Sequence, residues 1–214
     1  TFAASGRQIE LVARESEIER LNDDLARVSK GRREFDRRLS DAENERIDYR
    51  RLGDLSVRLR QYPEAIAWYE KALAIARERQ SAGAESSDQM AIGDAQAAAG
   101  DQAAARTAYE AMAEACRRNG DRSCEAQAQS LIAAVLVRTG DIEGATALER
   151  QAVQTEQEVG SKVNMAVRTL VVGFAYQDVN RYADAMERYK RAEALARDTT
   201  NTYLQRIVAL DVGN

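Results

Sequence analysis

Leu52-Gly53, followed by Tyr62-Pro63-Glu64-Ala65 and then Trp68-Tyr69-Glu70-Lys71-Ala72-Leu73, is the stretch on which the fold turns. It returns along the chain at one constant step: Gly53, Gly93, Ala133, Gly173 and Gly213 are all small, and Ala65, Ala105, Ala145 and Ala185 are all alanine. Tyr69, Tyr109 and Tyr189 recur with Glu149 dissenting, and Ala72, Met112, Ala152 and Ala192 form a fourth column. One column in an alanine-rich chain is weak evidence. Four columns with the same step and fixed offsets between them are an internal repeat.

Each unit reads as a pair of helices. A small residue and an alanine facing it let two helices approach at the short end of the ~8–10 Å interaxial range. Gly100, Gly140 and Asn180 fall between them, where a left-handed residue ends the first helix. The tyrosine one helical turn beyond the alanine lies on the same face and fills the core. A single proline and much Ala, Glu, Arg and Leu agree with an all-α chain.

Composition excludes several function classes. The 214 residues carry 31 Lys plus Arg against 35 Asp plus Glu, a net charge of −4 that gives no general pull toward nucleic acid or an anionic membrane. The mixed clusters Lys30-Gly31-Arg32-Arg33, Arg37-Arg38 and Arg50-Arg51 lack interleaved aromatics and read as a solvated coil surface. No apolar run is long enough to insert in a membrane, and Thr1 to Gly6 do not read as a signal peptide. Histidine is absent, which removes the commonest general base and metal ligand, so no His-dependent triad, metal or cofactor is expected. Asp23-Asp24 and Glu43-Asn44-Glu45 read as helix-surface partners of Arg20, Arg27 and Arg46 rather than catalytic acids. No nucleophile, base and orienting group assemble, and an enzyme is not expected.

The quoted residues resemble the tetratricopeptide repeat signature, and Gly173, Tyr176, Asn180, Ala185, Tyr189 and Ala192 repeat it closely. The family's usual period is ~34 residues; the longer period from Gly53 to Gly93 is similar to the extended subclass of kinesin light chains, Pins-like proteins and bacterial regulatory arrays. The Asn119-Gly120-Asp121-Arg122 turn is also similar to linkers of those bacterial arrays. The resemblance implies an all-α, right-handed α-α superhelix whose first helices line a concave groove for a protein or peptide ligand. It implies inward-facing Arg50, Asp54 and Arg58 in the first unit and Leu170, Phe174 and Gln177 in the fourth. Val167, Leu170 and Phe174 form one apolar stripe, with Leu210 in the next unit at the place of Leu170 and Arg138 and Gln177 at its polar edge. The same stripe also reads as packing on a neighbouring repeat. The Lys and Asn pattern with which some members clamp a terminal carboxylate is missing.

The sequence therefore divides into a helical or coiled-coil extension over 1–46 and an array over 47–214, with hairpins near 47–80, 87–118, 124–158 and 164–199 and a truncated fifth unit at 202–214. Ile207, Val208 and Leu210 of that fifth unit would expose an apolar face unless a longer protein or another molecule covers it. In the extension, Leu11, Ile18, Leu21, Leu25, Val28, Phe35, Leu39 and Ala42 keep a heptad broken by Arg14 and Arg32. Leu11, Ile18, Leu21, Leu25 and Val28 are the candidate seam of a homodimer. Because the phase passes through Gly31, one long helix is predicted rather than a hairpin turning at Ser29-Lys30-Gly31.

Cys116 and Cys124 flank the Asn119-Gly120 turn. They would pair if their Cα atoms lie within ~7 Å in an oxidising compartment; two reduced, partly buried residues in a cytoplasmic protein are the expected state, and a periplasmic or extracytoplasmic location follows if they pair. The expected function is a non-catalytic protein- or peptide-binding scaffold. Its alternatives are a regulatory or sensor arm of a larger bacterial enzyme, such as a caspase-like protease or signalling kinase, and a structural module that self-associates through the coil.

Overall fold

The structure, a computed structural model, describes the backbone of residues 2–197 and the side chains of residues 20, 23, 26–34 and 37–197. Eight helices follow one another among these residues: α1 (Phe2–Arg58), α2 (Tyr62–Glu78), α3 (Ala82–Ala98), α4 (Gln102–Arg118), α5 (Arg122–Thr139), α6 (Ile142–Val159), α7 (Lys162–Asp178) and α8 (Tyr182–Arg197). Each packs on the next from α2 onward, and the first helices of successive hairpins, α3, α5 and α7, also touch, which is the layering of a helical solenoid. The predicted fifth unit, with Ile207, Val208 and Leu210, lies outside the described residues.

The chain separates into two compact units, residues 1–45 and 46–214. α1 belongs to both. It is continuous through Gly31, as the heptad phase predicts, and a Cβ placed on Gly31 would meet nothing within 4 Å. Val28, in the predicted seam, is 69 % exposed, while the side chains of Leu11, Ile18, Leu21, Leu25 and Phe35 lie outside the described residues.

Turns set the register of the array. Arg60, Gln80, Gly100, Gly120, Gly140, Gly160 and Asn180 all have positive φ at one constant spacing, half the repeat, so the turns between the described helices are built alike. Gly140, at φ 91°, adopts its conformation without the cost an L side chain would add. Asp101, Asp121 and Asp141 then cap α4, α5 and α6, each carboxylate accepting from the backbone N–H of the third residue on at 2.9 Å. α3 begins at Ala82, not near 87: Gly83 and a Ser81 without a side-chain cap make the region resemble a loop, yet the left-handed Gln80 re-enters the helix on the common schedule.

Tight packing explains the four columns. Ala65, Ala105, Ala145 and Ala185 are buried, as are Tyr69, Tyr109 and Tyr189. A Cβ on Gly93 would stand 2.5 Å from the Tyr109 ring, and one on Gly173 would stand 2.8 Å from the Tyr189 ring. Gly53 faces Tyr69 in the same way. Glycine is thus required wherever tyrosine stands opposite. The exception obeys the same rule: where Glu149 replaces the tyrosine, Ala133 replaces the glycine, and both are buried. Glu149 accepts from Arg188 Nε at 3.4 Å, and burial pushes its carboxyl above the ordinary range against the pull of Arg188 and Arg191.

Candidate functional site

Three helices, α3, α5 and α7, share one cleft. Positions three and four apart share one side of a helix, which groups Ala91, Asp94 and Ala98 on α3, Leu131, Ala134 and Arg138 on α5, and Val171, Phe174 and Asp178 on α7. Except for Ala91, these residues line one cleft of about 430 Å³, together with Ala97 and Tyr109. Its walls are mainly apolar, and Phe174 is 37 % exposed while its ring lies 5.7 Å from that of Tyr189.

Polar groups are placed within that apolar frame. Arg138 donates from Nε and Nη2 to Asp178 Oδ2 at 3.1 and 2.8 Å. The Tyr109 hydroxyl donates to Asp94 Oδ1 at 2.7 Å, and Tyr69 donates to Asp54 Oδ1 at the same distance one repeat earlier. Tyr189 follows the pattern with a different acceptor, Gln177 Oε1 at 2.6 Å, because Phe174 stands where the other two units have aspartate. Although Asp94 opens to the cleft, loss of water raises its pKa above the ordinary carboxylate range, opposed by the Tyr109 hydrogen bond and Arg138. Burial first, then the Asp94 carboxylate, pushes the Tyr109 hydroxyl well up.

Of the residues predicted to bind ligand, Arg138 and Phe174 line the cleft. Leu170 does not: it is 4 % exposed and belongs to the core, since its position is turned about 100° from Val171 on the helix. Val167 packs against that core, Gln177 is exposed and holds the Tyr189 hydroxyl, and Leu210 lies outside the described residues. Asp94, Leu131, Val171 and Asp178 were not singled out by the sequence. Their signal was present in the repeat itself: Leu131 and Val171 hold the same place before the small column, and Asp94 and Asp178 follow it on the same helix face.

At the helix N-termini a second cleft of about 380 Å³ is lined by Ser86, Ser87, Met90, Met112, Asp121, Ser123, Cys124, Gln127, Asn164 and Arg168. Two buried ion-pair networks hold it. Arg46 Nη1 donates to both Asp88 oxygens at 2.9 and 3.1 Å, and Arg50 Nη1 donates to Asp88 Oδ1 at 2.7 Å and to Ser87 Oγ at 2.9 Å. The sequence placed Arg46 and Arg50 on a solvated surface and Arg50 in the groove; their side chains are 12 and 24 % exposed instead, because Asp88 is wholly buried and draws both. In the second network, fully buried Glu156 accepts from Ser123 Oγ at 2.8 Å, Asn164 Nδ2 at 3.2 Å and Arg168 Nε at 3.1 Å. Burial lowers the pKa of Arg168, and Glu156 opposes that shift.

The cysteines are paired, in contrast to the reduced state expected from the sequence: Cys116 and Cys124 form a disulfide with Cα atoms 5.5 Å apart. The turn at Gly120 brings them there. One repeat on, the same two places hold Glu156 and Asn164, so one crossing is joined covalently and the next by a hydrogen bond. Closing so short a loop restricts the unfolded chain, and its reduction is expected to cost about 2.5 kcal/mol in the chain-entropy picture. Thermal unfolding with and without a phosphine reductant measures this, with a Cys116→Ser/Cys124→Ser chain as the reference that reductant leaves unchanged.

Among the described residues no group of three or more Cys, Asp or Glu is arranged to hold a metal ion, and no helix is long and apolar enough to cross a membrane. No protein-family model matches the chain, and no curated protein matches it in sequence. Solved structures do. BtubC (BKLC) from P. vanneervenii is similar at a TM-score of 0.61 and 17 % identity, over 83 % of this chain and 81 % of that one. The TPR-like repeats of a putative kinesin light chain from Podosopora anserina are similar at 0.58 and 16 %, over 80 % and 84 %. The Rap conjugation gene regulator of the plasmid pLS20, in complex with the Phr* peptide, is similar at 0.57 and 16 %, over 77 % of this chain and 48 % of the regulator, so the chain spans about half its length. Together with the repeat geometry, these likenesses show that the chain has the fold of the tetratricopeptide-like repeat proteins.

Proposed function

We propose that the chain is a non-catalytic scaffold that binds a protein or peptide segment along the concave face of α3, α5 and α7. The observation that carries the reading is Phe174: a large aromatic ring left 37 % exposed in a mainly apolar cleft, on a helix whose adjacent positions are buried. The Rap regulator of similar fold was solved with a peptide, which supports a ligand of that kind here. A peptide selected from a random library on the immobilised chain supplies the probe. Phe174→Ser is expected to weaken its binding by the equivalent of about 1–2 kcal/mol of lost apolar burial, with little change in thermal stability. Unchanged binding would place the site elsewhere.

The paired cysteines support an oxidising compartment, periplasmic or extracytoplasmic, because disulfides persist there and are reduced in most cytosols. Exposed Val28 supports a second use of the molecule, self-association through α1.

A further inference from the structure

The cleft's charge narrows the kind of ligand, on the reading that it is the binding groove. Positions 54, 94, 134 and 174 are equivalent in successive repeats and run Asp, Asp, Ala, Phe, so the concave face passes from acidic to apolar. Within the cleft there are two carboxylates, Asp94 and Asp178, and one guanidinium, Arg138. Arg138 is committed to Asp178 by two hydrogen bonds. Asp94 accepts the hydroxyl of Tyr109 on Oδ1 and feels the positive charge of Arg138, and its Oδ2 accepts no hydrogen bond among the described residues.

Asp94 is solvent-exposed, and the residues that share its cleft are mostly apolar. Ala97, Ala98, Leu131 and Ala134 share its cleft, with Val171 and Phe174 on the far helix. A bound segment that covers this carboxylate takes it out of water, and a ligand cation paired with it then meets weaker screening than in bulk water. An anion would meet the net negative charge of the cleft and is disfavoured. One repeat earlier the equivalent Asp54 has Arg58 one turn along its helix, where the second repeat has Ala98. Asp94 is therefore the better cation site of the two.

We propose that the cleft selects a peptide segment in which a Lys or Arg side chain meets Asp94 and a nearby aliphatic or aromatic side chain packs on Phe174 and Val171. The apolar contact supplies affinity and the carboxylate supplies the choice of sequence.

Three short fluorescent peptides, identical in their leucines and serines and differing only in carrying Arg, Gln or Glu, test this by anisotropy at constant salt. The Arg peptide is expected to bind the wild-type chain about tenfold more tightly than the Gln peptide, with the Glu peptide weakest. Asp94→Asn keeps an acceptor for the Tyr109 hydroxyl, so the repeat stays folded by circular dichroism, and it is expected to bring the Arg and Gln peptides to the same affinity. Phe174→Ser should weaken all three by one common factor. Equal binding of the Arg and Gln peptides to the wild type, or an Arg preference that survives Asp94→Asn, overturns the charge selection and leaves the groove reading intact. If Phe174→Ser changes none of the three, or no peptide binds at all, the groove reading falls and this inference with it.

Discussion

Replacing Tyr109 by alanine is expected to destabilise the array by about 3–5 kcal/mol, the range for truncating a buried aromatic side chain. The ring is buried between α3 and α4, where it fills the space left by Gly93, and its hydroxyl bonds Asp94. Truncation removes the ring's contacts and leaves a cavity that cannot collapse, since Ala105 already sets the helices at close approach. For a chain of this size each kcal/mol lowers the melting temperature by roughly 2–4 °C, so a fall of about 6–20 °C is expected in thermal unfolding. Tyr109→Phe separates the two contributions. It keeps the ring and removes one hydrogen bond, at about 1 kcal/mol. A Tyr109→Ala chain within about 1 kcal/mol of the wild type would show that the ring is not the packing element between these helices.

The second large effect concerns Glu156. Its carboxylate is fully buried with Arg168, and Ser123 and Asn164 complete its hydrogen bonds. Glu156→Ala strands the guanidinium in a place poor in water, and removing one partner of a buried pair typically costs about 3–5 kcal/mol. The pair itself is a different matter. Replacing both partners by apolar residues of similar volume is often neutral, because the two desolvation penalties vanish with the attraction. Glu156→Leu/Arg168→Met is therefore expected to recover most of the stability lost in Glu156→Ala, measured by urea unfolding. A double variant as unstable as the single one would mean that the network's hydrogen bonds to Ser123 and Asn164, rather than the stranded charge, set the cost.

These two side chains differ in how they could be found. Tyr109 was legible because its role repeats: the same helix crossing recurs in unit after unit, and each recurrence needs a small residue, an alanine and a ring at fixed offsets. Packing of adjacent helices is local in sequence, so periodicity reports it. Glu149 looked like a break in that pattern, and the structure shows it as a compensated exchange with Ala133. That pairing joins α5 to α6 and becomes visible only when the tyrosine rings are seen to fill the place of a Cβ.

Glu156 and Asp88 were not legible. Arg168 and Glu156 meet because a turn at Gly160 returns the chain, and Arg46 reaches Asp88 from a different hairpin. In a chain this rich in charge, sequence alone does not distinguish a buried partner from a solvated one; burial does. The same holds for the cysteines, whose spacing allows a bridge or two free thiols until the left-handed Gly120 brings their Cα atoms within 5.5 Å.

The repeat, most of its helices and turns and the identity of its core columns were legible in the residues alone, because each of these follows from contacts close in sequence. Which face of the first helices lines the cleft depends on the tertiary structure. Leu170 and Val171 are neighbours of similar hydrophobicity, yet one is core and the other lines the cleft. One residue is a rotation of about 100° about the helix axis, and the face that opens to water depends on how α7 is set against α5, an angle that no single repeat contains.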